Sequence, residues 1–412
     1  MTRTSGVHGQ GELREPDLPR TAKVRTGPMR TGWTTGTCAA AAAKAAVAAL
    51  VSGEPQGEVD VPLPTGRRVT FPVLRCEPVR PRPGRSHSQD APCDDGGWEA
   101  VVVKDAGDDP DCTNGAELTA TVRWTAEPGV HLARGRGVGV VTKRGLGLEI
   151  GAPAINPVPR RMISQAISEV LSLEACGAEV TISVPGGEHM AKKTTNRRLG
   201  ILGGISILGT SGIVRPFSTA SWRASVLQAV DVMAAQGEEI CVMTTGGRTE
   251  RAARRLLPAL PEVCFVEVGD FSGAAMERAA SRGLREVLFV GMMGKLAKLG
   301  AGVMMTHWTR SKVDAGYLGE VTLRAGGGTE LVAAVMAANT ARHAYELWTE
   351  AGLVTQAAGL LCTDVARNLA RRAEERLEVD AVLVDFDTLE PVAASPGARG
   401  VPGCPEFEGR RR

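Results

Sequence analysis

Apolar positions near the start of the chain predict a buried helix. An Ala-rich run extends from Cys38 to Val51, and Thr34, Thr35 and Thr37 precede it as candidate N-caps, because a hydroxyl can accept a hydrogen bond from the free N–H groups of a first turn. The run is about 14 residues long and carries Lys44 in its middle, whereas a membrane span needs roughly 20 apolar residues. We therefore expect a core helix.

Alternating apolar and polar positions then predict strands. Residues 58–63 and 68–74 flank a PTGR turn as a hairpin, and 98–104 and 118–124 are further strands. Between them, residues 76–97 are rich in Pro, Arg, Ser and Asp, which predicts a flexible loop.

Two helices are predicted next, at 158–173 and 218–235. The second has Ser218 as its N-cap, and its apolar residues recur at helical spacing; they are Trp222, Val226, Val230 and Met233.

Three strand-turn-helix units follow within about 65 residues. Their short apolar strands, at 240–244, 264–268 and 286–291, predict a parallel, doubly wound sheet whose ligand crevice lies at the carboxyl ends of the strands. The residues expected there are Gly246, Gly247, Asp270, Gly291 and Gly294. Beyond His307, helices at 328–345 and 361–376 and a strand at 381–386 are expected.

Length supports two or three domains, since the chain has 412 residues and a domain takes roughly 100 to 200. We expect an α+β N-terminal domain and a smaller α/β domain with a Rossmann-like sheet. The predicted limits are a disordered tail at 1–29, the α+β domain at 30–224, the α/β domain at 225–345, helices and a strand at 346–390, and a tail at 391–412.

Composition argues against several classes of protein. Aromatic residues make up 4% of the chain, too few for a nucleic-acid stacking platform. The nine cysteines form no CxxC and no zinc-ligand spacing with His, and no signal-peptide pattern opens the chain. We therefore expect a reduced, cytoplasmic protein with no membrane span and no metal site of its own.

Charge is uneven although the net charge is only +2. Residues 134–223 contain twelve Lys or Arg against five Glu, an excess of seven positive charges. Such an excess attracts an anionic partner, although a solvated basic face is the plainer alternative.

The Gly-rich turn GMMGK at 291–295 does not meet the requirements of a nucleotide phosphate loop. A phosphate loop needs Gly where this chain has Phe289 and Ser or Thr where it has Leu296, and neither TTGGRTE nor GDFSGAA contains GxGxxG. The sequence still supports a Gly-rich helix N-terminus that can receive an anionic group.

The run KDAGDDPD carries four carboxylates, at Asp105, Asp108, Asp109 and Asp111. Their spacing does not fit an EF-hand. They either form a turn or take part in proton transfer. The second role is open to them because clustered carboxylates can raise one another's pKa until one holds a proton at neutral pH.

A second run, 192–198, combines Lys192, Lys193 and Arg197 with hydroxyl residues and could hold carboxylates. The following GILGGISILGTSG at 200–212 is either backbone close to a ligand or a tightly packed strand and turn.

Four long runs carry a resemblance to a known family. They are RTGWTTGTCAAAAAKAA at 30–46, EAVVVKDAGDDPDCTNGAE at 99–117, GVGVVTKRGLGLEIGAPAINPVPRRMI at 137–163 and VTISVPGGEHMAKKTTNRRLGILGGISILGTSGIVR at 180–215. In this order and spacing they resemble the cobalt-precorrin-5B (C-1)-methyltransferase family, often called CbiD, from about Arg30 to Trp308.

The resemblance implies transfer of a methyl group from S-adenosylmethionine (SAM) to carbon 1 of cobalt-precorrin-5B, giving cobalt-precorrin-6A in anaerobic cobalamin biosynthesis. Cobalt would arrive inside the tetrapyrrole substrate. The family usually has His where this chain has Met292, so no catalytic role is expected there. His307 matches a family run and is either a site residue or a structural one.

Beside this resemblance we assign the candidate roles as follows. The catalytic candidates are Asp105, Asp108, Asp109, Thr34 and Thr35; the tetrapyrrole-binding candidates are Lys143, Arg144, Lys192, Lys193 and Arg197; and the SAM-binding candidates are Gly246, Gly247, Asp270, Gly291, Gly294 and His307. No nucleic-acid partner is expected; other enzymes of the pathway or further copies of the chain are the open protein partners. Two alternatives are a non-catalytic corrinoid carrier and a nucleotide-dependent ligase or kinase.

Overall fold

Helices and strands alternate through residues 28–80, 96–174, 177–307 and 311–398, the ranges that this computed structural model describes. The strands are β1 (Gly32–Trp33), β2 (Glu58–Pro62), β3 (Arg68–Pro72), β4 (Arg75–Val79), β5 (Gly97–Val103), β6 (Glu117–Thr125), β7 (Gly129–Arg134), β8 (Gly137–Val138), β9 (Val140–Val141), β10 (Gly177–Ser183), β11 (Ile201–Leu202), β12 (Gly204–Ile205), β13 (Ile213–Val214), β14 (Ile240–Thr244), β15 (Phe265–Glu267), β16 (Glu286–Gly291), β17 (Glu378–Val384) and β18 (Pro391–Ala394).

The helices are α1 (Thr35–Ser52), α2 (Pro157–Ser168), α3 (Gly187–Ala191), α4 (Thr219–Ala234), α5 (Gly247–Leu256), α6 (Ser272–Ser281), α7 (Met293–Gly300), α8 (Ala315–Arg324), α9 (Thr329–Met336), α10 (Ala341–Glu350) and α11 (Val354–Arg372). Within the described ranges the chain is a mixed α/β protein.

Helix α1 is the centre of the N-terminal core. Thr34 caps it by accepting a hydrogen bond from the N–H of Thr37 at 3.2 Å, and Gly53 ends it in the left-handed conformation with φ 75°. Its small alanines let the five-stranded sheet β4-β5-β6-β10-β7 and helix α2 approach closely. The predicted hairpin is confirmed as β2 and β3.

By length and composition α1 also qualifies as a candidate membrane span, yet 72% of it is buried inside the protein. Lys44, in its middle, donates a hydrogen bond to the carbonyl of Asp60 at 2.8 Å and pairs with Glu169. The prediction of a buried core helix is confirmed.

The second large sheet has the order β15-β14-β16-β17-β18, in which the first four strands are parallel and β18 is antiparallel to β17. Alternate residues of β14 face opposite sides. Val242 packs in the core that contains α5, whereas Cys241 and Met243 pack in the core that contains α6, α7 and α11. Helices therefore cover both faces, and the carboxyl ends of β14, β15 and β16 lie at one edge.

Helix α4 connects the two regions. Its Val230 and Met233 belong to the core of the second sheet, while Val232 packs against Val141 and Ile201 of the first region. The predicted domain limits at residues 224 and 345 fall inside α4 and α10.

Several element predictions need correction. Part of the predicted loop at 76–97 is the edge strand β4, because Cys76 pairs with Ala100 of β5 and this tertiary pairing overrides the local composition. The single helix predicted at 328–345 is two, α9 and α10, since Thr340 caps a new helix by accepting from the N–H of His343 at 3.1 Å.

Helix α2 ends at Ser168 rather than 173, where the carboxylate of Glu169 turns to Arg68 and Lys44. Helix α11 and strand β17 begin earlier than predicted, at Val354 and Glu378.

Ser218 does cap α4, but Trp222 is 55% exposed and does not join the buried face. Strand β18 lies within the predicted C-terminal tail. The rest of that tail from 399, the N-terminal tail to residue 27 and the loop at 81–95 lie outside the described residues.

Candidate functional site

A cavity of about 920 Å³ opens at the carboxyl edge of the parallel strands. Five of the six predicted SAM-binding residues line it; they are Gly246, Gly247, Asp270, Gly294 and His307. The sixth, Gly291, ends β16 and lies buried, where an added Cβ would meet the side chain of Leu296 at 2.6 Å. Its small size serves packing of α7 on the strand.

Two helix N-termini border this cavity without a side-chain cap. Gly246 precedes α5 and Met292 precedes α7, and neither provides a capping hydrogen bond. An added Cβ at Gly246, Gly247 or Gly294 would meet no protein atom within 4 Å. Packing within the chain therefore does not demand glycine at these positions, and open space lies beside N–H groups that carry partial positive charge.

Asp270 follows β15 and is held in place from two sides. Its Oδ1 accepts a hydrogen bond from the hydroxyl of Thr306 at 2.8 Å and lies 3.2 Å from Nζ of Lys295. Lys295 also donates to the carbonyl of Thr245 at 3.0 Å, which joins the turns after β14 and β15.

Among the described residues the lining contains five Lys or Arg side chains and one carboxylate, Asp270; the basic ones are Arg248, Lys295, Lys298, Lys312 and Arg342. Lys298 is only 8% exposed and donates to the carbonyl of Thr306 at 2.8 Å. Burial lowers the pKa of Lys298; Asp270 acts in the opposite direction and Lys295 lowers it further. The sequence-based site prediction includes none of these five basic residues.

A smaller cavity of about 290 Å³ adjoins the first and shares Met292, Gly294, Arg342 and Phe386 with it. Among the described residues no group of three or more His, Cys, Asp or Glu is arranged to hold a metal ion.

The Asp105–Asp111 loop is stabilised by ion pairs. Asp105 pairs with Arg30, and the hydrogen bond from that guanidinium is the main reason why the pKa of Asp105 lies below its usual value. Burial pushes the pKa of Asp111 upward, but hydrogen bonds from Lys104 and Thr113 outweigh this and leave it lowered. The suggestion that clustered carboxylates raise one another's pKa is therefore wrong for Asp105 and Asp111.

Asp108 and Asp109 tie distant segments to this loop. Oδ2 of Asp108 accepts from the backbone N–H of Arg30 at 2.7 Å, and Oδ1 of Asp109 accepts from that of Phe217 at 2.9 Å. Phe217 adopts φ 56° and is 44% exposed. Both carboxylates thus hold backbone in addition to any role toward a ligand.

Thr34 and Thr35 are buried and hydrogen-bonded within the protein. The Oγ1 atoms of Thr34 and Thr37 lie 3.0 Å apart, and Thr35 donates to the carbonyl of Leu208 at 3.2 Å and accepts from its N–H at 2.9 Å. Gly209, with φ 132°, lies so close that an added Cβ would meet Thr34 at 2.4 Å. At this position tight packing accounts for the glycine of the 200–212 run.

The structure brings Lys143 next to the 192–198 run, which carries three of the other basic candidates. Nζ of Lys143 donates to the carbonyl of Arg198 at 3.3 Å, which brings β9 next to the 192–198 run. Lys192, Lys193 and Arg197 are exposed, and none takes part in the ion pairs found in the described ranges.

One electrostatic interaction and one hydrogen bond connect this basic surface to its surroundings. Burial raises the pKa of Cys112 while Lys193 acts to lower it, so Lys193 lies near the Asp105–Asp111 loop. At the other end, the carbonyl of Arg144 accepts from Gln236, at 3.1 Å, just after α4.

Two further links join the loop and the basic surface to the cavity. Phe217 leads from Asp109 into α4, whose Trp222 lies so near Gly269 that a Cβ there would be 3.1 Å from the indole Nε1. Arg198 pairs with Glu250 in the first turn of α5 at 2.6 Å. The three candidate regions therefore border one another.

Two family models match parts of the chain. A family model described as CbiD matches residues 22–216, and one described as CbiD, C-terminal domain, matches 305–395. Curated proteins named cobalt-precorrin-5B C(1)-methyltransferase are similar: that of Salinispora arenicola is 64% identical over 93% of this chain and 97% of its own length, and that of Rubrobacter xylanophilus is 63% identical over 94% and 97%.

A crystal structure of a cobalamin biosynthesis protein (cbiD) from Archaeoglobus fulgidus is 31% identical and covers 69% of this chain and 84% of its own, with a TM-score of 0.35.

Proposed function

The chain belongs to the CbiD family, and from this premise we infer that it methylates carbon 1 of cobalt-precorrin-5B with SAM as the donor, giving cobalt-precorrin-6A in cobalamin biosynthesis. The carrying observation is the identity of 64% to a cobalt-precorrin-5B C(1)-methyltransferase across 93% of the chain. The enzyme is a methyltransferase of the cytoplasm, and its tetrapyrrole substrate brings the cobalt.

SAM is assigned to the cavity at the carboxyl edge of β14, β15 and β16. Open space beside Gly246, Gly247 and Gly294 supports close approach of a ligand to backbone N–H groups, which suit a carboxylate. Asp270 is oriented at the end of β15, where carboxylates of doubly wound sheets accept hydrogen bonds from ribose hydroxyls. The strand order and the helices on both faces support the doubly wound classification.

The tetrapyrrole is assigned to the basic surface of Lys143, Arg144, Lys192, Lys193 and Arg197. Its peripheral acetates and propionates are anions, and guanidinium and ammonium groups bind carboxylates with charge-assisted hydrogen bonds. The exposure of Lys192, Lys193 and Arg197 supports this, because their charges are available to a ligand.

Methyl transfer needs little covalent help from the protein. SAM supplies the methyl group on a positively charged sulfur, and an electron-rich ring carbon of the substrate attacks it. The protein aligns the two reactants and excludes water, while a carboxylate of the Asp105–Asp111 loop accepts the proton that the macrocycle loses. Asp108 and Asp109 are the proposed acceptors, and Thr34 and Thr35 fix the helix end beneath them.

The reaction is tested by incubating the purified protein with cobalt-precorrin-5B and SAM labelled at the methyl group. Label at carbon 1, located by NMR, is the expected result. ATP hydrolysis without label transfer would favour a ligase, and tetrapyrrole binding without any SAM binding would favour a carrier; either would refute the proposal.

A further inference from the structure

The basic side chains that line the cavity are only partly neutralised by carboxylates. Lys295 pairs with Asp270, and Arg342 pairs with Glu346 at 3.0 Å and with Asp387 at 3.1 Å. Three basic residues of the lining make no ion pair with a carboxylate within the described ranges; they are Arg248, Lys298 and Lys312.

Backbone carbonyls hold two of these three cations, although Asp270 also acts on Lys298 from a distance. Arg248 donates to the carbonyl of Phe386 and lies 4.0 Å above the centre of its ring, and Lys298 donates to the carbonyl of Thr306. Lys312 is exposed at the mouth of the cavity. The cavity thus has a cationic wall, by which we mean Arg248, Lys298 and Lys312.

A cationic wall does not suit SAM on its own. SAM carries a net positive charge at neutral pH, because its sulfonium and ammonium groups outnumber its single carboxylate. Like charges in a partly enclosed cavity repel, and screening by water is weaker there than at an open surface. Further carboxylates line the adjoining cavity, where Arg342 pairs with Glu346 and Asp387. An anionic group that a second ligand brings into the cavity would offset the wall when SAM binds.

The acceptor carries such groups and must reach the same place. Methyl transfer requires donor and acceptor atoms to lie roughly 3 to 3.5 Å apart, so the tetrapyrrole has to border the cavity that holds SAM. A volume of about 920 Å³ lies at the upper end of the usual range for small-molecule sites. The Arg198–Glu250 contact also brings the basic surface to the first turn of α5, next to Arg248.

We propose that the cationic wall binds peripheral carboxylates of the tetrapyrrole and that this makes substrate and SAM binding mutually favourable. The proposal rests on the proposed function for the identity of the anion. Once carboxylates occupy the wall, the repulsion of the sulfonium is removed, and the linkage is reciprocal because each ligand must strengthen the other by the same factor.

The test uses uroporphyrin III, a stable tetrapyrrole with acetate and propionate arms, and follows its binding by its fluorescence. Calorimetry measures the binding of SAM and S-adenosylhomocysteine. The latter lacks the sulfonium charge. We expect uroporphyrin to raise the affinity for SAM more than that for S-adenosylhomocysteine. Lys312→Met should weaken uroporphyrin binding about tenfold, equal to about 1.4 kcal/mol. It should also reduce the difference between the gains in affinity that uroporphyrin gives to SAM and to S-adenosylhomocysteine.

Lys312→Met is suitable because the residue is exposed, and Arg248→Met is the second variant. The matched control is Arg285→Met, which removes a cation at the opposite, amino end of β16; Arg285 is 75% exposed and lies 3.4 Å from Glu239. The control should bind uroporphyrin like the wild type.

Wild-type uroporphyrin affinity in both Lys312→Met and Arg248→Met would overturn the proposal, as would competition between uroporphyrin and SAM. The two proposals fail separately. Coupled binding in a protein that transfers no methyl group to cobalt-precorrin-5B would refute the reaction alone, whereas methylation with unaltered uroporphyrin binding in both variants would refute the cationic wall alone.

Discussion

Replacing Asp111 with Asn is expected to destabilise the protein strongly, because it removes the carboxylate that pairs directly with a buried ammonium. Lys104 is 1% exposed, and its Nζ lies 2.6 Å from Oδ2 of Asp111. The amide of the variant would keep an oxygen for the N–H of Thr113, now held at 2.7 Å, but the negative charge would be gone. Breaking one side of a buried ion pair costs about 3–5 kcal/mol, a large part of the roughly 5–15 kcal/mol that stabilises a typical protein.

The measurement is the urea midpoint of Asp111→Asn compared with Asp105→Asn in the same loop. Asp105 pairs with Arg30 at the surface, with 48% and 59% of the two side chains exposed, so its loss should shift the midpoint far less. Combining Asp111→Asn with Lys104→Met should recover much of the loss, since the uncompensated charge is then gone.

Low pH should mimic the substitution. The pKa of Asp111 is lowered in the folded protein, so its contribution is complete above the unfolded pKa, near 3.9, and is lost as pH falls through the folded value. The midpoint of the wild type should therefore fall more steeply in that window than that of Asp111→Asn. Equal midpoints for Asp111→Asn and the wild type, or a double variant no more stable than the single one, would refute the reasoning.

Three further predictions concern the candidate site. Asp108→Asn and Asp109→Asn retain an acceptor oxygen for the backbone N–H groups they hold, so unchanged melting with reduced turnover would mark a chemical role, and normal turnover in both would leave only a structural one. Lys192→Met with Lys193→Met should weaken tetrapyrrole binding, by about 1.5 to 3 kcal/mol for each lost contact, with calorimetry showing SAM binding intact; unchanged tetrapyrrole affinity would rule the assignment out. Asp270→Ala should raise the Kd for SAM about tenfold if about 1.4 kcal/mol of binding free energy is lost. Loss of tetrapyrrole binding with SAM binding retained would show that the two ligands are assigned to the wrong sites.

The elements that sequence predicts well are those whose local pattern and tertiary environment agree. Strands β14 and β16 are continuous apolar runs that are buried on both faces, and their predicted bounds match. Strand β10 was not predicted, although Ala178, Val180 and Ile182 alternate with polar residues and are buried. Strand β4 had no local signal, because its Pro and charged residues are compatible only with an edge position that pairing to β5 creates.

Site residues also differ in how well the sequence predicts their roles. The Gly-rich turns could be located because the carboxyl ends of parallel strands must meet at one edge, and four of the five residues chosen on that ground line the cavity. Thr34, Thr35 and Gly209 could not be separated into structural and chemical roles from sequence, since their hydrogen bonds and close contacts join residues more than 170 positions apart.

The cationic wall was partly visible in the sequence. Between Glu286 and Asp314 the chain has Lys295, Lys298, Arg310 and Lys312 and no carboxylate. The flanking acids suggest a balanced charge, yet the fold directs them elsewhere.

Glu250, two residues after Arg248, turns its carboxylate to Arg198 and Arg254, at 2.6 and 2.9 Å. Asp314, two residues after Lys312, caps α8 by accepting from the N–H of Tyr317 at 3.1 Å. Because each acid is used by a structural contact, the neighbouring base keeps its charge for the cavity. Local neutrality along a sequence therefore does not exclude a charged site, and the partners of the acids decide whether one forms.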